Sequence, residues 1–264
     1  MSRYNEKFYF SQMEESYSSA KETLDQILPL LPEITSVIDV GCGVGTWLKT
    51  WQDKNNEIKI LGIDGNSVDE KLFYIDKKNY KQTNLTSNYK DILKQLDLID
   101  GAGCRYKPFD LAQSLEVAEH LEEKYARNFI QLLTSLSDIV LFSAAIPHQG
   151  GTDHFNEQPP AYWADIFKEI DYVCFDILRD KIWENKKIAF WYRQNMMFYV
   201  HKSKSYIFEN LGYKPTQSPL HLVRPEYLEA YIRECRKLER KNLFDMGKFY
   251  LRHPKRMFIN KHHK

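Results

Sequence analysis

A chain of 264 residues that is 43% hydrophobic and 14% aromatic has room for one large domain, or one domain with an appendage, and is too apolar for wholesale disorder. The net charge of +1 hides an imbalance: from Arg236 onward, ten Lys and Arg against two acids give +8, which leaves −7 on the rest. Four scattered cysteines (Cys42, Cys104, Cys174, Cys235) without a CxxC pair exclude a zinc knuckle or a disulfide scaffold, the polar start excludes a secretory signal, and no apolar run is long enough for a membrane span.

The expectation is a reduced, cytoplasmic protein, with the basic end read first as a solvated helix face.

In chain order, SYSSAKETLDQILPLL places Leu24, Ile27, Leu28 and Leu31 on one helical face, and Pro32 closes it. The β-branched run Ser36–Val40 predicts a strand, and TWLKTWQDK resumes helical spacing after three glycines. Ile58–Ile63 predicts a second strand ending at Asp64, and either Phe73–Ile75 or Tyr80–Leu85 supplies the third. Phe109–Leu115 and Ile139–Ala145 predict the fourth and fifth, with the helical ARNFIQLLTSL between them. After a loop rich in Gly, His and Pro come a helix at AYWADIFKEI, a strand at YVCFDI and a last strand at QNMMFYV. Such alternation implies βαβ units, hence a mostly parallel sheet covered on both faces. Beyond about Lys202 the pattern turns to helix and charge. This divides the chain into a domain at 1–202 and a basic helical extension at 203–264.

In sheets of this kind a ligand sits beyond the carboxyl ends of the strands, at the topological switch point. Gly41, Gly43 and Gly45 follow the first strand and offer a turn without Cβ atoms. Asp64 closes the next strand 19 residues after Gly45, where a carboxylate can accept both ribose hydroxyls of an adenosine. NAD and S-adenosylmethionine both suit such a turn. The glycines here run G-x-G-x-G, however, and Asp39 just before them would repel a pyrophosphate while suiting a cationic methionyl group.

These stretches resemble the class I S-adenosylmethionine-dependent methyltransferases. VIDVGCGVGTW is similar to the family's first motif and ILGIDGN to its second, with Asp64 as the ribose acid. YKQTNLTS resembles the third, with Asn84 and Leu85 at the adenine position, although the family often carries an acid where Asn84 stands. FDLAQSLEVAEHL resembles the fourth-strand motif, with Glu116 at the rim. The resemblance runs from about Tyr17 to Val200. It implies an α/β, Rossmann-like, doubly wound sheet of seven strands, mostly parallel with the last antiparallel, and S-adenosylmethionine as cofactor.

For the acceptor, the informative segment is IPHQGGTDHFNEQPPAYW, where His148, Asp153, His154, Asn156, Glu157 and Gln158 crowd one loop after the fifth strand. His154, with Glu157 orienting it, is expected to take the proton of a hydroxyl acceptor, and His120 of EVAEHL is the other candidate. Tyr192 and Arg193 of WYRQN are placed to grip an anionic or sugar acceptor. His148, His154 and Glu157 are metal-ligand types, but their spacing is no recognised signature, and no metal is expected. HFNEQPPAYW together with WYRQN resembles bacterial methyltransferases that accompany surface-polysaccharide synthesis. That resemblance implies O-methylation of a sugar, a glycan precursor or a phosphoramidate modification in capsule polysaccharide biosynthesis. The partner is then a small-molecule or glycan acceptor, without membrane or nucleic acid. Two alternatives stay open: an RNA methyltransferase, motivated by the +8 end, and a noncatalytic S-adenosylmethionine-binding subunit.

Overall fold

In a computed structural model, residues 6–66, 70–98 and 108–252 are described. Cys104 and the basic residues after Arg252 lie outside them.

The apolar stripe at the start builds α1 (Glu6–Ile27), with Leu24 and Ile27 fully buried and Leu31 covered in the turn that follows. Next come β1 (Ser36–Val40), α2 (Thr46–Lys54), β2 (Lys59–Asp64), β3 (Tyr80–Gln82), α3 (Tyr89–Gln95), β4 (Leu111–Leu115), α4 (Ala126–Leu136) and β5 (Ile139–Ser143). The chain continues with α5 (Pro160–Lys168), β6 (Tyr172–Phe175), α6 (Leu178–Ile182), α7 (Phe190–Asn195), β7 (Met197–His201), α8 (Tyr206–Glu209) and α9 (Pro225–Arg252). Pro160 opens α5 at its first position, where a missing N–H costs nothing.

The seven strands form one sheet in the order β3–β2–β1–β4–β5–β7–β6. β7 runs antiparallel to both β5 and β6, and the other pairings are parallel. This is the expected doubly wound sheet. Of the two segments offered for the third strand, Tyr80–Gln82 pairs with β2. Ile75 instead packs under the glycine turn, and Tyr74 N–H donates to the Val44 carbonyl at 2.9 Å. The residues Gln194 and Asn195, expected to begin the last strand, end α7 instead.

Both sheet faces are covered. One apolar layer joins α1 and α2 to the sheet through Leu24, Leu48 and Trp51, and the other joins α4 and α5 through Phe129, Leu133 and Trp163. The strand order reverses between β1 and β4, so the crevice beyond their carboxyl ends is the switch point.

The chain divides into two compact units, one ending at Leu222 and one starting at Val223. This division falls later than the expected one at 202, because the residues after β7 fold back on the sheet. Phe208 packs on Phe175 and Phe198, and Thr216 bridges Cys174. The second unit contains the long helix α9. Among the described residues no helix is long and apolar enough to cross a membrane.

Candidate functional site

The turn leaving β1 is built from backbone. Gly41 takes φ 86°, and a Cβ there would stand 2.4 Å from Val117 Cγ2, so the turn lies directly against the residue after Glu116. Gly43, at φ 54°, has open space where its side chain would be. Its N–H donates to Asp64 Oδ2 at 2.8 Å, and Asn66 N–H donates to Asp64 Oδ1 at 2.8 Å. Two backbone donors thus fix the Asp64 carboxylate at the end of β2, with lone pairs left on each oxygen.

Asp39 is 3% exposed, in register with Gln113 of β4. Burial pushes its pKa up to about 7; Gln113 works against this and the charge of Asp64 adds to it. Gln113 Oε1 accepts from Trp51 Nε1 at 2.9 Å, while its Nε2 has no partner among the described residues. A buried acid with no ion-pair partner among the described residues suits a positively charged ligand.

On the third-strand side, Leu85 is buried at 7% exposure. Asn84 is exposed, and its Oδ1 accepts from Thr86 N–H at 3.0 Å and Thr86 Oγ1 at 2.8 Å. Its side-chain oxygen therefore closes a local turn, leaving its amide nitrogen as the polar group for an adenine.

The rim of β4 is built from side chains. Glu116 holds a left-handed φ of 56°, with its N–H donating to the Ser143 carbonyl at 3.0 Å and to Ser143 Oγ at 3.1 Å. Its carboxylate accepts from Gln149 Nε2 at 2.9 Å and from Asn195 Nδ2 at 3.1 and 3.3 Å. Gln194 Nε2 donates in turn to Gln149 Oε1 at 3.1 Å, which closes an amide network around Glu116. Burial raises the Glu116 pKa, opposed by these donors and by His154. Glu119 is fully buried, with neither carboxyl oxygen meeting a donor among the described residues. Burial first, and then the charge of Glu116, hold its pKa well above the carboxylate range.

The loop after β5 comes together around Glu157. Its carboxylate accepts from His148 N–H and Gly150 N–H, each at 2.7 Å, and pairs with His154 Nδ1 at 2.9 Å. His154, 13% exposed, meets His120 edge to face with ring centroids 4.8 Å apart. His120 Nδ1 lies 3.2 Å from the Asp153 carbonyl, and protein packed around its ring, with His154 adding repulsion, pushes its pKa below the ordinary value. Asn156 is 3% exposed; its N–H donates to the Glu119 carbonyl at 3.0 Å and its Oδ1 accepts from Gln158 Nε2 at 2.8 Å. The structure thus brings together Glu116, Glu119, His120, His154 and Glu157.

Tyr192 and Arg193 stand apart from this group. The Tyr192 hydroxyl accepts from Trp47 Nε1 at 3.3 Å, and Arg193, 5% exposed, donates Nη1 to the Trp183 carbonyl at 3.1 Å. Both side chains anchor α7, and it is the neighbouring Gln194 and Asn195 that reach the site. Sequence reading missed Glu119, Gln149, Gln194 and Asn195; the only signal was the two amides that complete WYRQN.

S-adenosylmethionine fits the first half of this crevice: open space at Gly43, a fixed carboxylate at Asp64, and a buried Asp39 awaiting a cation. When bound, it supplies a methyl group already activated on a sulfonium. A family model described as a methyltransferase domain matches residues 9–145, just over half of the chain. A SAM-dependent methyltransferase from Archaeoglobus fulgidus has a similar structure, with a TM-score of 0.51 at 17% identity over 75% of this chain and 100% of that one. Magnesium protoporphyrin IX methyltransferase from Synechocystis PCC 6803, with bound SAH, gives 0.49 at 15% over 76% and 90%. At 17% identity the likeness to the Archaeoglobus enzyme shows the fold. No curated protein sequence matches the chain. With the glycine turn, the ribose acid and the seven-stranded sheet in place, the chain belongs to the methyltransferase-domain family and is an S-adenosylmethionine-dependent methyltransferase.

Proposed function

We propose that the enzyme is a cytoplasmic O-methyltransferase whose acceptor is a hydroxyl of a sugar or glycan precursor, or a phosphoramidate oxygen, destined for a bacterial surface polysaccharide. The observation that carries this reading is the His154–Glu157 pair, with Nδ1 2.9 Å from the carboxylate. A ring whose Nδ1–H is held by a carboxylate keeps its lone pair on Nε2, the nitrogen that can then take a proton from a hydroxyl. Asp64, Asp39 and the glycines hold the cofactor, with Asn84, Leu85 and Glu116 along its flank. His148, Asn156 and Gln158 supply polar groups suited to a hydroxyl-rich acceptor, and Tyr192 and Arg193 support them by fixing α7. The catalytic domain takes in residues 1–222, the stretch after β7 included, and the helical extension follows.

Transfer of a methyl group from labelled S-adenosylmethionine to nucleotide sugars and to phosphoramidate-bearing glycans tests the assignment. Methylation at oxygen supports it; methylation at nitrogen only would overturn it. An RNA acceptor is the second reading, favoured by Arg233, Arg236, Lys237 and Arg240, which line one hollow on α9. Salt-sensitive RNA methylation with no glycan turnover would establish that reading instead.

A further inference from the structure

We propose that Glu119, His120 and His154 bind one divalent first-row transition-metal ion, which holds the acceptor oxygen. One ligand atom from each residue lies within 4.8 Å of those of the other two. Two bonds of about 2.0–2.3 Å reach at most about 4.6 Å, so small side-chain shifts bring the set around a single ion.

Two further observations point to an ion. Glu119 is fully buried, and neither of its oxygens meets a donor among the described residues. A buried carboxylate with two imidazoles alongside is a ready cation ligand, because the charge of an ion offsets the cost of burying its own. Each imidazole, moreover, has its Nδ1 already engaged, His154 by the Glu157 carboxylate at 2.9 Å and His120 by the Asp153 carbonyl at 3.2 Å. Metal-binding histidines are held in this way: the outer acceptor fixes the tautomer and leaves Nε2 as the coordinating lone pair.

Two imidazoles and one carboxylate favour Mn2+, Co2+ or Zn2+ over Mg2+, which prefers oxygen donors throughout. Three protein ligands leave positions open, as catalytic sites do and structural sites do not. Resting on the hydroxyl-acceptor reading, the ion's task is to take the acceptor oxygen into an open position and lower its pKa, the proton leaving to solvent. With the ion bound, His154 acts through it; without the ion, Nε2 is the atom that takes the proton.

The test is a titration of the full chain with Mn2+ followed by electron paramagnetic resonance, and with Co2+ followed by visible absorption. One equivalent should bind, with Co2+ bands typical of nitrogen ligation. Bound Mn2+ should broaden two histidine ring signals in the NMR spectrum of the wild-type protein, a readout that needs no variant. Glu119→Gln, His120→Ala and His154→Ala should each weaken binding by more than about 100-fold, and Glu157→Gln by about 10–100-fold. A control with His221→Ala, and another with His262 and His263 both replaced by Ala, should bind as wild type does. Absence of binding at millimolar Mn2+, or binding that survives joint loss of His120 and His154, overturns the site. Metal binding without oxygen methylation would leave the site standing and sink the acceptor reading; oxygen methylation by a metal-free, metal-indifferent enzyme would do the reverse.

Discussion

The turn after β1 and the loop after β5 both leave the carboxyl edge of the sheet, yet they are built in opposite ways. In the turn, positive φ falls on Gly41, Gly43 and Gly45, which adopt it without strain. Around the proposed acceptor site, it falls on Gly150 but also on Glu116, His148 and Asp153, where a side chain makes it costly. Hydrogen bonds hold these three in place: Ser143 accepts from Glu116 N–H, Glu157 accepts from His148 N–H, and the Asp153 carbonyl meets His120 Nδ1. The cofactor half is backbone shaped to admit a ligand common to the family. The acceptor half is a strained assembly of side chains, the construction expected where one particular acceptor is recognised.

If the two halves are separable, variants should split them. The largest effect belongs to His154→Ala, which should lower kcat by about 10²–10⁴-fold while leaving cofactor affinity unchanged. A fall in affinity matching the fall in kcat would join the halves again. Asp39 comes next. Its pKa, raised to about 7, means that folding favours its protonated form. The stability gained from this is full at pH values below the ordinary carboxylate range and is lost as pH rises toward 7. Asp39→Asn should therefore be more stable than wild type at pH 8, by up to about 4 kcal/mol, with little difference near pH 4. Thermal melts of the ligand-free protein across that range check the sign. The wild-type cofactor affinity should also fall as pH drops below about 7, and that dependence should vanish in Asp39→Asn, as calorimetry in several buffers would show.

A smaller loss follows from Gly41→Ala, which adds left-handed strain and a clash with Val117 and should cost about 2–4 kcal/mol of stability. Adding Val117→Ala should relieve the clash and leave the strain, so the double variant melts between Gly41→Ala and wild type. If Val117→Ala gives no recovery, the turn does not rest on β4 as described. The smallest effect is expected from ending the chain near Asn242, within α9. Cofactor affinity should be unchanged, and its loss in a folded truncated protein would give the extension a part in the cofactor half.

The same contrast explains what the sequence made legible. β1, β2 and β5 carry β-branched residues, and β4, β6 and β7 are short stretches rich in apolar residues, so most of the sheet could be read directly. The short helices α3, α6, α7 and α8 carry too few apolar positions to show a period. Asp39, the glycines and Asp64 lie within 26 residues, and one short stretch of chain specifies that half of the site. The other half joins residues near 116–120, 148–158 and 194–195, which only the sheet order brings together. Glu119 sits in a stretch that offers no sign that it is buried without a partner. Reading WYRQN as the approach to a strand favoured Tyr192 and Arg193. As α7, with 3.6 residues per turn, it turns those two inward and sends Gln194 and Asn195 to Gln149 and Glu116.

The separation of the halves is tested most directly by calorimetric titration of S-adenosylhomocysteine into wild type, Asp64→Ala and His154→Ala. Wild type should bind in the micromolar range, a scale usual for small substrates. Asp64→Ala should lose about 1.5–3 kcal/mol, the worth of a charged hydrogen-bond acceptor, and His154→Ala should match wild type. Unchanged affinity in Asp64→Ala, or an equal loss in His154→Ala, would contradict the account.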